Sequence, residues 1–579
     1  MEKSSLNNRA KSRTRIAFGK YLSAFTLLLA TATLVRPVEA ASQATVTPTP
    51  TPTPADKSEP TPHFKPESSN TSGSVTVEGS RVDYQAVAGT IVVHPKGWDD
   101  AAPAENQKTK ESEEGKNESQ DDKDESKNPT AEASMFYVAY TKQNVDPDKR
   151  PITFLFNGGP GSSTVWLHMG AFGPRRVVTA DNSHTPAAPY QLVNNDFSLL
   201  DVSDLVFVDA PGTGFSRIAG KNKEKEFYGV DQDAHAFAEF IVAFLSKYGR
   251  WNSPKYLFGE SYGTPRSAVL ANLLEQEYHL DLNGVMLLSQ ILNFDLSVDE
   301  PENNPGIDLP YVVALPTYAA TAWYHHKLAV PNAPGELEPF LKEVEDFAMK
   351  DYAHALAEGT TLPKAERQAI AEKLHQYTGL PLSYILKANL RIDGGEFEKT
   401  LQDDADTTMG RLDTRFSGPT MDPLSKEADY DPQSAAISSA YVSAFNDYVR
   451  KTLKFGQDKM YRSSAPLWKS WDFKHQPPGA DRPLQQSTNT MPDLATAMKY
   501  NPDLRIFLTG GYFDLATPFY EGWYEMHQLR IPERLQDHIE YHYYPSGHMV
   551  YAHQDSLKAL HDDAAAFIHS TNHLDKGSN

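Results

Sequence analysis

Hydrophobic positions fall into two rhythms along the chain. Short apolar runs at 152–156, 205–208, 256–258, 285–288, 505–508 and 539–544 end in glycine-rich turns, with helical stretches following. Runs of this length bounded by turn signals predict buried strands. Between them, residues 231–248 place Phe237, Phe240, Ile241, Phe244 and Leu245 on one stripe at helical spacing, and 264–278 and 556–569 read as two further helices. Buried strands alternating with helices predict an α/β fold with a mostly parallel central sheet covered on both faces. In such sheets function collects at the carboxyl ends of the strands. Ahead of this body, residues 81–94 and 134–141 read as the two strands of an overgrown hairpin.

The alternation breaks between about 295 and 502. Stretches 336–356, 364–377 and 434–453 carry helical spacing, and no strand rhythm appears among them. Sheet-type strands resume afterwards, so the segment reads as an insertion and not as a tandem domain. The expected organisation is a first part of the α/β domain at 75–300, a large helical cap insertion at 301–495 and the second part of the domain at 496–579.

The first 40 residues have the pattern of a secretory signal: six basic residues from Lys3 to Lys20, an apolar run at 22–35, and Val38-Glu39-Ala40 as the cleavage site. The run is short of the roughly 20 residues that a spanning helix needs, so no stable membrane span is expected after cleavage. Residues 41–74 contain four Thr-Pro repeats from Thr47 to Pro54 and read as a disordered, extended linker. Residues 103–130 hold nine acids and five lysines with almost nothing to bury, and read as a disordered acidic loop.

Composition narrows the function. The 579 residues include no cysteine, which excludes disulfides, thiolate metal sites and a cysteine nucleophile. The net charge of −21 argues against nucleic acid or anionic lipid as a partner. Removal of residues 1–40 takes away seven basic and two acidic residues, moving −21 to −26. The long basic start and the missing disulfides fit a bacterial export route, periplasmic or secreted.

Candidate chemistry is concentrated at three strand ends. Residues 256–258 run into Gly259-Glu260-Ser261-Tyr262-Gly263, and a helix begins at once, which is the context of a nucleophile elbow. A serine nucleophile needs a histidine base, and the base an orienting acid. Asp514 follows the strand at 504–508 and His548 the strand at 539–544, in the order serine, acid, histidine. The Tyr262 N–H offers one oxyanion donor, and the turn Asn157-Gly158-Gly159-Pro160-Gly161 after the first strand offers a second. No Gly-Lys-Ser/Thr follows that turn, so a phosphate loop is excluded. His538 and His542 lie four apart on a strand, but no carboxylate pattern beside them supports a metal site.

Asn157-Gly-Gly-Pro-Gly161, Gly259-Glu-Ser-Tyr262, Asp514 and Gly547-His-Met549 resemble the signature blocks of the serine carboxypeptidases. Asn195-Asp-Phe-Ser198 and 209–216 are similar to further blocks of that family. The resemblance implies an exported enzyme of the α/β-hydrolase fold that removes carboxy-terminal residues through an acyl-enzyme, without cofactor or metal, acting on peptides with a free C-terminus. Carried across, Ser261 is the nucleophile, His548 the general base and Asp514 its orienter. Gly159 and Tyr262 form the oxyanion hole, and Asn157 and Glu260 hold the substrate carboxylate. Three positions depart from the family pattern: Ser162 replaces a cysteine, Ala171 an acidic residue and Leu155 a tryptophan. An esterase or acyltransferase on the same scaffold, or a non-catalytic surface protein, remains open on the residues alone.

Overall fold

The computed structural model describes residues 62–98, 130–330 and 335–574; the expected signal peptide, the Thr-Pro repeats and all but the last residue of the acidic loop lie outside them. The central sheet contains β1 (Ser68–Val77), β2 (Ser80–Val93), β3 (Glu132–Lys142), β4 (Ile152–Phe156), β5 (Asp204–Val208), β6 (Lys255–Glu260), β7 (Gly284–Leu288), β8 (Arg505–Gly511) and β9 (Ile539–Tyr544). They lie in the order β1-β2-β3-β5-β4-β6-β7-β8-β9, and a short strand at Arg217–Ala219 pairs with the start of β3. The run from β5 to β9 is parallel throughout, whereas β1, β2 and β3 are antiparallel. This is the α/β-hydrolase fold. The expected hairpin is present, with Tyr84 opposite Lys142 and Val93 opposite Ala133. Strand β1 begins at Ser68, inside the stretch expected to be linker; its Ser-, Thr- and Gly-rich sequence gave no apolar signal because most of it is only half-buried.

The longer helices are α1 (Val230–Tyr248), α2 (Gly263–Gln276), α3 (Leu309–Tyr324), α4 (Leu337–Phe347), α5 (Lys364–Thr378), α6 (Pro432–Lys451), α7 (Met491–Tyr500), α8 (Phe519–His527) and α9 (Gln554–Thr571). Strand residues alternate between two faces, and two clusters result. Phe154 and Phe156 pack with the Phe237, Phe240 and Phe244 stripe of α1, and with α2 and α7. Leu155 and Phe258 pack on the other side with Ile437, Tyr441 and Phe445 of α6 and with Leu560 and Phe567 of α9.

The insertion therefore does not act as one cap. A third cluster joins α3, α4 and α5 to Phe513, Leu515 and Phe519 just past β8. Helix α6, expected in the cap, buries its apolar stripe in the sheet cluster, and α7 packs beside α2. Helix α3 had no amphipathic signature because it is buried almost all round.

Candidate active site

Strand β6 ends at Glu260 and α2 starts at Gly263, so the chain must reverse within two residues. Ser261 takes the whole bend, with φ +60°, a left-handed conformation that costs a non-glycine residue energy and persists only where its surroundings hold it. They do so here. The Ser261 N–H donates to the Leu288 carbonyl at the end of β7 at 3.0 Å, and Thr264 N–H returns to the Ser261 carbonyl at 2.8 Å. A Cβ on Gly263 would lie 2.8 Å from the Phe156 carbonyl, so a glycine lets helix and strand close together.

Asp514 and His548 meet at the same edge. Strands β8 and β9 end side by side, with Gly511 opposite Tyr544, and His548 Nδ1 lies 2.8 Å from Asp514 Oδ2. Asp514 is fully buried and accepts the N–H groups of Ala516 at 2.9 Å and Thr517 at 3.1 Å through Oδ1. The Thr517 hydroxyl donates to Oδ2 at 2.8 Å and sits 3.2 Å from His548 Nδ1. A carboxylate fixed this way accepts a hydrogen bond from Nδ1–H, which keeps the proton on Nδ1 and leaves Nε2 unprotonated. Burial alone would lower the His548 pKa, but the Asp514 carboxylate, and after it Glu260, raise it above the ordinary value.

The histidine loop is held from the insertion. His548 N–H donates to the Leu412 carbonyl at 2.6 Å, Leu515 N–H to Arg411 at 3.0 Å, and Thr414 N–H to Phe513 at 3.0 Å. Segment 411–415 thus ties the loops of Asp514 and His548 together.

The turn after β4 lies against the turn at Ser261: a Cβ on Gly158 would lie 2.3 Å from the Tyr262 nitrogen. Among the described residues no protein acceptor takes the N–H of Gly159 or Tyr262. Arg266 braces the turn from below: its Nη1 donates to the Asn157 carbonyl at 2.8 Å, its Nε pairs with Asp233 at 2.5 Å, and its guanidinium lies over Phe237. Replacing Arg266 with methionine would leave Asp233 buried without its partner. The expected loss of stability is about 3–5 kcal/mol, to be read by urea denaturation.

Glu260, one residue before the serine, is 3% exposed. Burial pushes its carboxyl up to about 7, against the opposing influence of His548 and of hydrogen bonds from Tyr551 and Asn157. The Tyr551 hydroxyl donates to Glu260 Oε2 at 2.8 Å. Asn157 accepts the Leu167 N–H through Oδ1 at 3.1 Å, which turns its amide nitrogen toward the acid. Asn157, Gly159, Glu260, Ser261 and His548 all line one cavity of about 390 Å³.

The serine carboxypeptidase family model matches residues 126–536. The chain belongs to the serine carboxypeptidase family. It is similar to serine carboxypeptidase S10 family member 1 of Dictyostelium discoideum, at 33% identity over 146 residues, 23% of this chain and 30% of that protein. It is also similar to a pheromone-processing carboxypeptidase of Candida dubliniensis, at 28% over 169 residues, 28% of this chain and 23% of that protein. A probable serine carboxypeptidase of Homo sapiens is 25% identical over 169 residues, 28% of this chain and 33% of that protein. The chain thus spans a third or less of the length of these relatives. The family match ends before His548, so that residue's place rests on the geometry above.

Against the family pattern, Ser162 uses its hydroxyl as acceptor for Trp166 Nε1 at 2.7 Å. Ala171 is fully buried in a segment clamped by Asn195, whose amide donates to the Ala171 and Gly173 carbonyls at 2.7 and 2.8 Å. In place of an acid at Ala171, two tyrosines crowd the neighbouring Gly170: a Cβ there would lie 2.6 Å from the Tyr441 hydroxyl and 2.6 Å from the Tyr551 ring. Sequence reasoning missed Tyr551, Thr517, Arg266 and segment 411–415. Tyr551, three residues past His548, Thr517, three past Asp514, and Arg266, three past Gly263, stood near recognised motifs; segment 411–415 did not.

Proposed function

We propose that this protein is an exported serine carboxypeptidase that hydrolyses the C-terminal peptide bond of peptides through an acyl-enzyme. The observation that carries this reading is Glu260, buried in the wall of the cavity that also holds Ser261 and His548, where burial pushes its carboxyl up to about 7. Ser261 Oγ attacks the scissile carbonyl while His548 Nε2 takes its proton, and Asp514 stabilises the imidazolium that forms. The N–H groups of Gly159 and Tyr262 receive the developing oxyanion. His548 returns the proton to the leaving amine, and water then repeats the sequence on the ester. Neutral Glu260 and the Asn157 amide donate to the substrate's free carboxylate, and Tyr551 orients Glu260.

Release of amino acid from an N-blocked tripeptide, its carboxamide and its methyl ester tests the reading. The free acid should be cleaved far faster than the carboxamide. Equal turnover of both would favour an esterase or acyltransferase on the same scaffold. Gly158→Ala gives a second test, because a Cβ there would collide with the amide nitrogens of Tyr262 and Gly263. The expected loss in kcat is about 10²–10³-fold, the effect of losing one oxyanion donor; a loss under about threefold would remove Tyr262 from the hole.

Export to the periplasm or the medium, with cleavage after Ala40, is supported by the pattern of the first 40 residues. Among the described residues no helix is long and apolar enough to cross a membrane. Mass spectrometry of the secreted protein should find Ala41 at its amino terminus.

A further inference from the structure

Strands β6 and β7 end at the same level, with Glu260 opposite Leu288. The residue after each is a serine in the left-handed region, Ser261 at φ +60° and Ser289 at φ +54°. The first is the nucleophile. The second is 1% exposed and is not part of the wall of the cavity that holds the first, so it does not meet substrate there. A glycine would hold that φ without penalty, whereas a residue with a side chain holds it only where its surroundings fix it. What Ser289 offers that a glycine lacks is its hydroxyl.

That hydroxyl donates to the main-chain carbonyl of His548 at 2.8 Å. The His548 N–H is bound to the Leu412 carbonyl, so the backbone of the base is held from both sides while Asp514 holds its ring. The backbone at Ser289 is engaged as well. Its N–H donates to the Thr509 carbonyl of β8 at 2.8 Å, and the Leu288 carbonyl directly before it accepts the Ser261 N–H at 3.0 Å. One residue thus stands between nucleophile and base and is bonded toward both.

The segment that follows cannot swing away. Ile291 N–H donates to the hydroxyl of Thr264, in the first turn of α2, at 3.1 Å. The buried Glu525 carboxyl of α8 accepts the Leu292 N–H at 2.9 Å, the Asn293 N–H at 2.8 Å and the Gln290 amide. Held on β8 at one end and by Glu525 at the other, Ser289 keeps its hydroxyl in one place. Proton transfer needs that, because the Ser261 hydroxyl must lie within hydrogen-bond reach of His548 Nε2.

We propose that Ser289 is a positioning residue: its hydroxyl fixes the His548 main chain against the strand end that fixes Ser261, and so sets the separation of nucleophile and base. The inference rests on the triad of the carboxypeptidase reading.

The test uses the full-length purified protein with an N-blocked peptide and an N-blocked aryl ester. Ser289→Ala should lower kcat on both by about 10–100-fold, the effect of misplacing a reacting group by about 1 Å, and leave KM within about threefold. Ser289→Gly relieves the backbone but also lacks the hydroxyl. It should be equally slow while unfolding at higher urea than Ser289→Ala, and it carries the same test if the alanine variant does not fold. In a His548→Ala background, single-turnover ester rates should show no further loss from Ser289→Ala, because the hydroxyl acts through the histidine; a merely structural role would add its loss there too. A Ser289→Ala or Ser289→Gly enzyme within about threefold of the wild-type kcat, a loss confined to KM, or an undiminished loss in the His548→Ala background would overturn the proposal. If the wild-type protein turns over the ester but releases no amino acid from the peptide, the carboxypeptidase reading falls alone, and the ester rates of the same variants uphold or overturn the role of Ser289.

Discussion

Replacing Ser261 with alanine is expected to lower kcat on peptides by roughly 10⁴–10⁶-fold, and replacing His548 with alanine by about as much. The double variant should be no worse than either single one. The serine is a useful nucleophile only while His548 Nε2 accepts its proton, and the imidazole is a useful base only beside that hydroxyl, so the pair acts as one device. What survives is the contribution of the Gly159 and Tyr262 N–H groups and of substrate binding, neither of which needs the triad. Single-turnover assays with enzyme in excess would check this. Losses that multiply in the double variant, or a Ser261→Ala enzyme within tenfold of wild type, would remove Ser261 from the reaction.

The second large effect concerns Glu260 and pH. Its carboxyl is pushed up to about 7 by burial, so below that pH it is neutral and can donate to the substrate carboxylate. Above it, the two would repel. Peptide kcat/KM should therefore fall as pH rises through about 7. Hydrolysis of a simple ester, with no free carboxylate, should lack this limb. Glu260→Ala should cost peptides about 10–150-fold, the worth of a hydrogen bond to a charged group at about 1.5–3 kcal/mol, and esters about threefold or less. The sign for His548 is opposite. Ionised Glu260 helps hold the imidazolium, so Glu260→Gln should let His548 lose its proton at lower pH and extend ester hydrolysis in the acidic direction. Because the two groups share influence over one proton, the apparent pKa values in a pH–rate profile belong to the pair. Equal losses on peptide and ester in Glu260→Ala would end the carboxylate-binding role.

The central parallel strands were legible because a strand buried on both faces is mostly apolar: β4, Ile152–Phe156, has the same limits in sequence and structure. The long helices α1 and α9 were legible because each has a wet face, and α2 because it starts directly at the Gly-x-Ser-x-Gly turn. Helix α3 has almost none, and β1 has almost no dry residues; periodicity is silent in both cases. The juxtaposition of Ser261, Asp514 and His548 was legible because each follows a strand, and parallel strands deliver their carboxyl ends to one edge whatever lies between them in the chain.

What the sequence by itself determined, then, is the set of local objects: strands, amphipathic helices, the tight turn at Ser261, and the order of Ser261, Asp514 and His548. These depend on residues within a turn or two of each other. The tertiary structure decided everything that depends on the return of distant segments. It brought α6 out of the expected cap and onto the sheet, used Leu412 to hold His548, and placed Tyr551 on Glu260. Burial is a property of the packed whole, and it is burial that raises the Glu260 carboxyl; no local pattern in the chain encodes it.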